Sequence, residues 1–353
     1  MLFRSDIGYT HTAYRYWTIC TPSHSTVTVN GADQAYDPQH SGNRLRLWAS
    51  DGAGFHAAEA ESVTAYPQVG RYRRILICSG QEARDAYLVD IFQVHGGSQH
   101  DYVLAGTADE DATAESDVPL DPFPGTLLNE GVACIPPTSE GDLNRPQTGL
   151  GFIGNLRSAQ TDGMVRVDQR LAASPDLGSR SWLDAGPGTT LYLGDAPSIR
   201  RSQGRDATLN QYRLPMAVVR RRGADLHSTF VAVHEPVNGS PGIQAVRVER
   251  RQDAVILEVV RTDRTEWVVA ALDGPAEVSV DTAAGTLAFA GRVGRVQLRD
   301  GVVQAAHLVA GSHLRCGGLE VTGGTFPAGR IVGLQTEQRE GSRGWFLVAE
   351  EIP

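Results

Sequence analysis

The chain has 353 residues, 41% of them hydrophobic and 21% charged, enough to bury two ordinary cores. No apolar run approaches the roughly 18 residues that a membrane-spanning helix needs, and the first 25 residues have neither a basic start nor a continuous apolar stretch of the kind that marks a signal peptide. All 32 basic residues are Arg, and 41 acids leave a net charge of −9, which argues against non-specific nucleic-acid binding.

In chain order, the first feature is a polar and aromatic cluster of Asp6, Tyr9, His11, Tyr14, Arg15, Tyr16, Trp17 and His24, in a stretch with too little apolar content for a core. Alternating apolar residues then predict strands at 26–29, 45–48, 254–260, 267–272, 294–299 and 345–348. If the first of these is regular, Val27 and Val29 share one face while His24, Thr26 and Thr28 take the other. The dipeptides Asn30-Gly31, Asp51-Gly52, Asp273-Gly274, Ala284-Gly285 and Asp300-Gly301 mark tight turns, several of them because they tolerate positive φ. No amphipathic helix longer than three turns is evident.

His100-Asp101-Tyr102 is expected in a turn, its polar groups bonded locally. The acid-rich stretch 106–121 has no periodicity and reads as a solvated excursion, as does 194–210. Arg73-Arg74 and Arg220-Arg221-Arg222 flank strand patterns, so neighbouring guanidiniums face opposite sides; a solvated sheet face is expected there, not a triple anion clamp. The Gly/Pro/Ser-rich run after His234-Glu235-Pro236 suggests a domain change near residue 240. Cys20, Cys78, Cys134 and Cys316 are 58, 56 and 182 residues apart, which fits no zinc ribbon or redox C-x-x-C motif, so they read as buried thiols. With no Lys and no Gly-x-Ser-x-Gly, phosphate-loop and α/β-hydrolase readings fall away.

Runs of short strands without intervening helices predict an all-β chain: a large antiparallel β-sandwich followed by a smaller C-terminal β domain. The expected organisation is an N-terminal segment at 1–22, the sandwich at 23–240 and the C-terminal β domain at 241–353.

Several motifs resemble those of the heparinase II/III-like polysaccharide lyases. Ser23-His24-Ser25-Thr26-Val27-Thr28-Val29-Asn30-Gly31 resembles that family's His-Asn-Thr-Val-x-Val-Asp/Asn-Gly signature, with Ser25 in place of the usual Asn. Asp6-Ile7-Gly8-Tyr9 resembles its Asp-x-Gly-Tyr/Thr element and Tyr72-Arg73-Arg74 its Tyr-x-Arg-Arg/Thr run. The segment from Tyr87 through Asp90-Ile91-Phe92 and Gly96-Gly97 to His100-Asp101-Tyr102 resembles its "Asp-hydrophobic-Phe … Gly-Gly … His-Asp-Tyr/Trp" pattern. The likeness is specific over about residues 1–106 and weaker to about 240, where Val233-His234-Glu235-Pro236 also resembles the family.

The resemblance implies an α-helical toroid, a supersandwich-like β-sandwich and a smaller β domain. This chain would begin inside the sandwich, as a truncated frame or a fragment of a larger lyase, with its catalytic residues expected on the toroid. The implied chemistry is β-elimination on a uronic-acid polysaccharide: the C5 carboxylate is neutralised, the C5 proton removed and the C4 oxygen protonated on leaving. Tyr9, Tyr14, Arg15 and Trp17 are then the expected substrate-binding rim, Arg for a carboxylate and aromatic faces for pyranose rings. Asp6 and His24 match the family's metal ligands, commonly for zinc. With the upstream His of that set absent from this sequence, zinc binding is expected to be weak or absent.

The expected partners are an acidic polysaccharide and the toroid domain. The implied location is the periplasm, the cell envelope or the outside of the cell. The competing expectation is a non-catalytic sandwich that binds a glycan or another protein.

Overall fold

A computed structural model of the chain describes residues 17–35, 42–82, 84–132, 149–198, 212–323, 334–338 and 342–347. The described residues form an all-β fold. In chain order the strands are β1 (Val27–Val29), β2 (Asn43–Ser50), β3 (Phe55–Ser62), β4 (Arg71–Ser79), β5 (Tyr87–His95), β6 (Gln99–Ala105), β7 (Ala112–Ser116), β8 (Asp121–Pro122), β9 (Gly154–Thr161), β10 (Met164–Leu171), β11 (Leu177–Asp184), β12 (Thr189–Pro197), β13 (Arg213–Arg222) and β14 (His227–Asn238). They continue as β15 (Ile243–Arg250), β16 (Ala254–Arg261), β17 (Thr265–Ala271), β18 (Ala276–Thr282), β19 (Gly285–Gly291), β20 (Val293–Arg299), β21 (Val302–Val309), β22 (His313–Cys316), β23 (Leu319–Thr322), β24 (Leu334–Gln338) and β25 (Ser342–Leu347). Short 3-10 turns occupy Thr21–Ser23 and Gly149–Phe152. Among the described residues, no helix is long and apolar enough to cross a membrane.

The chain divides into two compact units. The first comprises Met1–Gly42, Ser62–Tyr72 and Phe92–Ala232, and the second Asn43–Glu61, Arg73–Ile91 and Val233–Pro353. The last passage between them, at Ala232/Val233, falls inside β14, ahead of the Gly/Pro-rich run near residue 240. The strands that pair locally around residues 43–61 and 73–91 belong with the C-terminal half, an arrangement no composition shift along the chain reveals.

The first unit is built on a sheet ordered β1-β6-β13-β12-β9-β8 that is apolar on both faces. Along β13, Ala217 and Val219 join a core with Val27, Val29, Phe92, Val94, Tyr102, Val167 and Phe230. Met216 and Val218 join a second cluster with Trp17, Val103, Leu127, Leu150 and Tyr192. A strand with apolar residues at consecutive positions must be covered on both sides, and the near-continuous run Leu214–Val219 shows that in the sequence. The same unit contains β11, β10 and β7 and the part of β14 up to Ala232, in the order β14-β11-β10-β7.

The acid-rich stretch 106–121 is a correction. It contains β7, which pairs antiparallel with β10 from Val167↔Ser116 to Leu171↔Ala112. The pattern is obscured because this edge strand buries only Ala114, exposes Thr113 and Glu115, and is flanked by acids. Residues 199–210 of the second excursion lie outside the described residues, while 194–197 complete β12.

The second unit carries β2, nearly all of β3 and β4, β5 up to Ile91 and β14 from Val233, ordered β2-β3-β4-β5-β14, with a seven-stranded sheet β15-β16-β17-β20-β21-β25-β24 and a four-stranded sheet β18-β19-β22-β23. Here most neighbours in space are neighbours in sequence. Asp300 (φ 51°) and Gly301 (φ 74°) make the two-residue turn between β20 and β21, closed by the Arg299↔Val302 pair. The core of these sheets gathers Ile256, Val269, Phe289, Val296, Leu308 and Leu314.

Candidate functional site

The segment Trp17–Gln34 forms an edge of the first unit, and its backbone is fixed by local hydrogen bonds. Thr21, Pro22 and Ser23 make one 3-10 turn, with Pro near its start, where a missing N–H costs nothing. Asp33 Oδ1 accepts the Thr21 N–H at 2.7 Å, and Thr21 Oγ1 accepts the Gln34 N–H at 2.8 Å, so the turn and the strand's far end are stapled reciprocally. Asn30 (φ 54°) and Gly31 (φ 70°) reverse the chain between β1 and Ala32. Behind this loop, β1 pairs with β6 as Val27↔Tyr102, Thr28↔Asp101 and Val29↔His100.

Tyr72 ties the edge together. Its hydroxyl donates to the Val27 carbonyl at 2.6 Å, accepts from Gln34 Nε2 at 2.8 Å, and lies 2.9 Å from Thr26 Oγ1. The Tyr66 hydroxyl donates to the Ala32 carbonyl at 2.9 Å, and burial pushes its pKa well above the usual phenol value. Both phenols are buried hydrogen-bonding pillars, so neither is placed to exchange protons with a substrate.

His24 follows the 3-10 turn, its N–H bonded to the Thr21 carbonyl at 3.1 Å. The residue is exposed, yet loss of hydration where the ring meets protein lowers its pKa, opposed by the negative charge of Asp33 and a backbone contact at Thr18. At neutral pH the ring is therefore an uncharged imidazole, the form that accepts a proton or ligates a metal. Asp6, Tyr9, Tyr14 and Arg15 lie outside the described residues. Among the described residues there is no cluster of three or more His, Cys, Asp or Glu side chains that could hold a metal ion.

Trp17 differs from the expectation. It is 3% exposed and packs in the cluster with Leu127, Leu150 and Ile153, so it offers no free face to a sugar ring. An aromatic residue in a polar stretch looked like a rim; long-range packing from residues 127–156 supplies the apolar surroundings its own segment lacks.

His100-Asp101-Tyr102 is likewise strand, within β6, and all three residues are buried. Asp101 forms a two-pronged ion pair with Arg220, at 2.5 and 3.1 Å, and also receives Gln99 Nε2 at 2.9 Å and Thr28 Oγ1 at 3.3 Å. His100 bonds Ser228 Oγ at 2.8 Å and the Gly96 carbonyl at 2.7 Å. The neighbouring guanidiniums do face opposite sides, but Arg220 is buried, not solvated, because Asp101 meets it from the adjacent strand. Arg221 lies over the Phe230 ring at 4.3 Å.

Arg73 is buried too. It bonds Glu61 at 2.8 Å and the Leu272 carbonyl at 2.9 Å within the second unit. Arg74 clasps the fully buried Asp90 at 2.9 and 2.6 Å. Cys20 and Cys316 are buried and Cys78 partly so, as expected of buried thiols, while Cys134 lies outside the described residues. Asp33, which fixes the His24 loop, was not singled out in the sequence; its only signal is its place three residues after Asn30, just past the tight turn.

Among solved structures, a crystal structure of heparinase III gives a TM-score of 0.44 at 14% identity, covering 74% of this chain and 31% of that one. Heparan sulfate lyase HepC from Pedobacter heparinus gives 0.38 at 12% identity, covering 70% and 30%. The chain thus spans about three-tenths of the length of these proteins. No family model and no curated protein matches the sequence.

Proposed function

We propose that this chain supplies the β-sandwich wall of a lyase that cleaves a uronic-acid polysaccharide by β-elimination outside the cytoplasm, the opposite wall and the proton-transfer groups coming from an α-helical toroid domain. Three sequence segments that resemble the heparinase II/III-like pattern, around His24–Gly31, Tyr72 and Phe92–Tyr102, are far apart in the chain and meet at one edge of the first unit. There β1 pairs with β6, and Tyr72 bonds the Val27 carbonyl. Their meeting is the observation that carries the reading.

In this arrangement the Tyr72, Asp33 and Thr21 bonds hold the loop that presents His24, with Tyr9, Tyr14 and Arg15 preceding it along the chain. A neutral imidazole at that edge accepts a hydrogen bond from a sugar hydroxyl or completes a metal site with Asp6. Arg15 neutralises the substrate carboxylate, whose charge must be masked before the C5 proton can leave.

The test is affinity electrophoresis and an ultraviolet assay for unsaturated product with alginate, heparan-type and galacturonan polymers. The expected result is retardation by acidic polymers without product, and product once a toroid domain of such a lyase is supplied. Absence of retardation by every uronate polymer overturns the proposal, and robust turnover by this chain alone overturns the assignment of proton transfer to the helical domain.

A further inference from the structure

Two Asn-Gly pairs occur in the chain, Asn30-Gly31 and Asn238-Gly239. Such a pair can react with itself: the backbone nitrogen that follows the Asn attacks the side-chain carbonyl, and glycine has no side chain to obstruct the approach. The attack requires that the carboxamide be free to turn toward that nitrogen, and here the two pairs differ.

Asn30 is locked. Its Oδ1 accepts the Ser98 N–H at 2.8 Å, the Gln99 N–H at 3.1 Å and the Ser98 hydroxyl at 3.2 Å. Its own N–H bonds the Gln99 carbonyl at 2.8 Å and its carbonyl accepts Asn129 Nδ2 at 2.8 Å, so backbone and side chain are both held. The space beside Gly31 is taken as well: a Cβ there would lie 3.1 Å from Asn129 Nδ2. To react, the Asn30 carboxamide must leave all of its donors.

Asn238 is not held in this way. It is the last residue of β14, at the turn into β15, and Asn238, Gly239 and Ser240 are all exposed. Among the described residues, nothing hydrogen-bonds its carboxamide. Gly239 has φ 80°, and a Cβ on it would meet no atom within 4 Å, so the approach to this turn is open. The base of the turn is fixed instead by Glu235, whose Oε2 accepts the N–H groups of Gly242 at 3.1 Å and Ile243 at 3.0 Å. The tip is thus free to rearrange while the strand ends on either side stay in place.

We propose that Asn238 is a self-modification site, where the folded chain converts its own carboxamide to a carboxylate. The Gly239 nitrogen bonds to Asn238 Cγ, the Cγ–Nδ2 bond breaks, and the nitrogen leaves as ammonia with the Gly239 N–H proton, giving a succinimide ring. Water then opens the ring at either carbonyl to an aspartyl or an isoaspartyl linkage. Neither oxidant nor metal takes part, and each event adds a negative charge to the turn between β14 and β15. In the isoaspartyl product the main chain runs through the side-chain methylene, a lengthening that the Glu235 bonds confine to the tip.

The experiment incubates the folded chain for weeks at mildly alkaline pH and follows both pairs by peptide mapping with mass spectrometry, with enzymatic methylation of isoaspartate as a second readout. Conversion at Asn238 should run about tenfold or more ahead of that at Asn30, whose carboxamide must first give up several hydrogen bonds, each worth a factor of a few. In concentrated urea, where those bonds are gone, the two pairs should react at similar rates. Asn238→Gln should abolish the faster reaction and leave the slower one unchanged, and Asn238→Asp supplies the reference peptide that separates the aspartyl from the isoaspartyl product. Equal rates at the two pairs in the folded chain, or an Asn238 that stays intact while the unfolded chain reacts at both, overturns the proposal. So does an isoaspartyl signal that Asn238→Gln leaves undiminished.

Discussion

Each unit buries carboxylates against guanidiniums, and the two do so differently. In the first, Asp101 meets one cation, Arg220, with the neutral donors Gln99 and Thr28 beside it. In the second, Glu266 sits at the centre of a network: Arg264 at 2.8 Å, Arg295 at 2.7 Å, Ser79 at 3.0 Å and Tyr87 at 2.9 Å. A carboxylate that serves two cations leaves more charge uncompensated when it is removed than a carboxylate in a single pair, so damage should differ between the units even though both sites are buried.

The sharpest way to break that comparison is Glu266→Gln. It leaves the buried Arg295 charge with only neutral partners, among them Gln297 and His307, and the expected cost is about 4 kcal/mol, within the range for breaking a buried ion pair. Urea unfolding should show the loss as a lower midpoint at an unchanged slope. Asp101→Asn should cost less, about 3 kcal/mol, because it strands a single cation, Arg220, which keeps the Leu127 carbonyl at 2.7 Å and the Tyr192 ring. Equal costs in the two variants would show that the number of partners around the carboxylate does not matter here.

Acid should weaken the second unit through its own buried groups. Burial, helped by the Arg295 charge, pushes His307 down to about 4 despite its bond to Asp51 at 3.1 Å. Burial alone would raise Glu266, but Arg295 and Arg264 hold it at about 2. For both groups the folded pKa lies below the unfolded one, so the unfolded state takes up the proton first and stability falls as pH drops. The His307 contribution, at most about 3 kcal/mol from the size of its shift, is complete above about pH 6.5 and lost between there and about pH 4. Glu266 extends the loss from the ordinary carboxylate range toward pH 2. Urea midpoints measured across this range check the sign, and His307→Gln should flatten the upper window. A stability that rises on acidification from pH 6.5 to 4 would contradict the buried neutral imidazole.

The second unit was also the more legible in sequence, for a physical reason. Its strands pair mostly with their chain neighbours, so alternation plus a turn dipeptide such as Asp300-Gly301 states both the strands and their partner. In the first unit β6 pairs with β1 and β13, the latter more than a hundred residues on, and nothing in the spacing of residues announces that. The same blindness hid the environment of single side chains. Arg220 read as solvated because Asp101 is remote in sequence, and Trp17 read as a rim because its apolar neighbours come from beyond residue 100. His24 could be picked out only through the signature around it, and Asp33, which holds its loop, carries no pattern at all.

The finest test of this contrast uses two turns of the same kind. Asn30-Gly31 and Asp300-Gly301 both place two consecutive residues at positive φ, where Gly is tolerated without steric cost. Asp300→Gly should therefore change stability by only a few tenths of a kcal/mol, from added freedom in the unfolded chain. Asn30 does more than turn the chain: its Oδ1 accepts the N–H groups of Ser98 at 2.8 Å and Gln99 at 3.1 Å, nearly seventy residues away. Asn30→Gly keeps the backbone conformation and removes those two acceptor contacts, so it should cost about 1 kcal/mol more than Asp300→Gly, the net worth of a typical intramolecular hydrogen bond. Amide exchange at Ser98 and Gln99 should quicken in the first variant alone. If the two substitutions cost the same and leave those amides equally protected, the Asn30 side chain is not what joins the β1 turn to the β6 end of the sheet, and the turn is as local in the first unit as in the second.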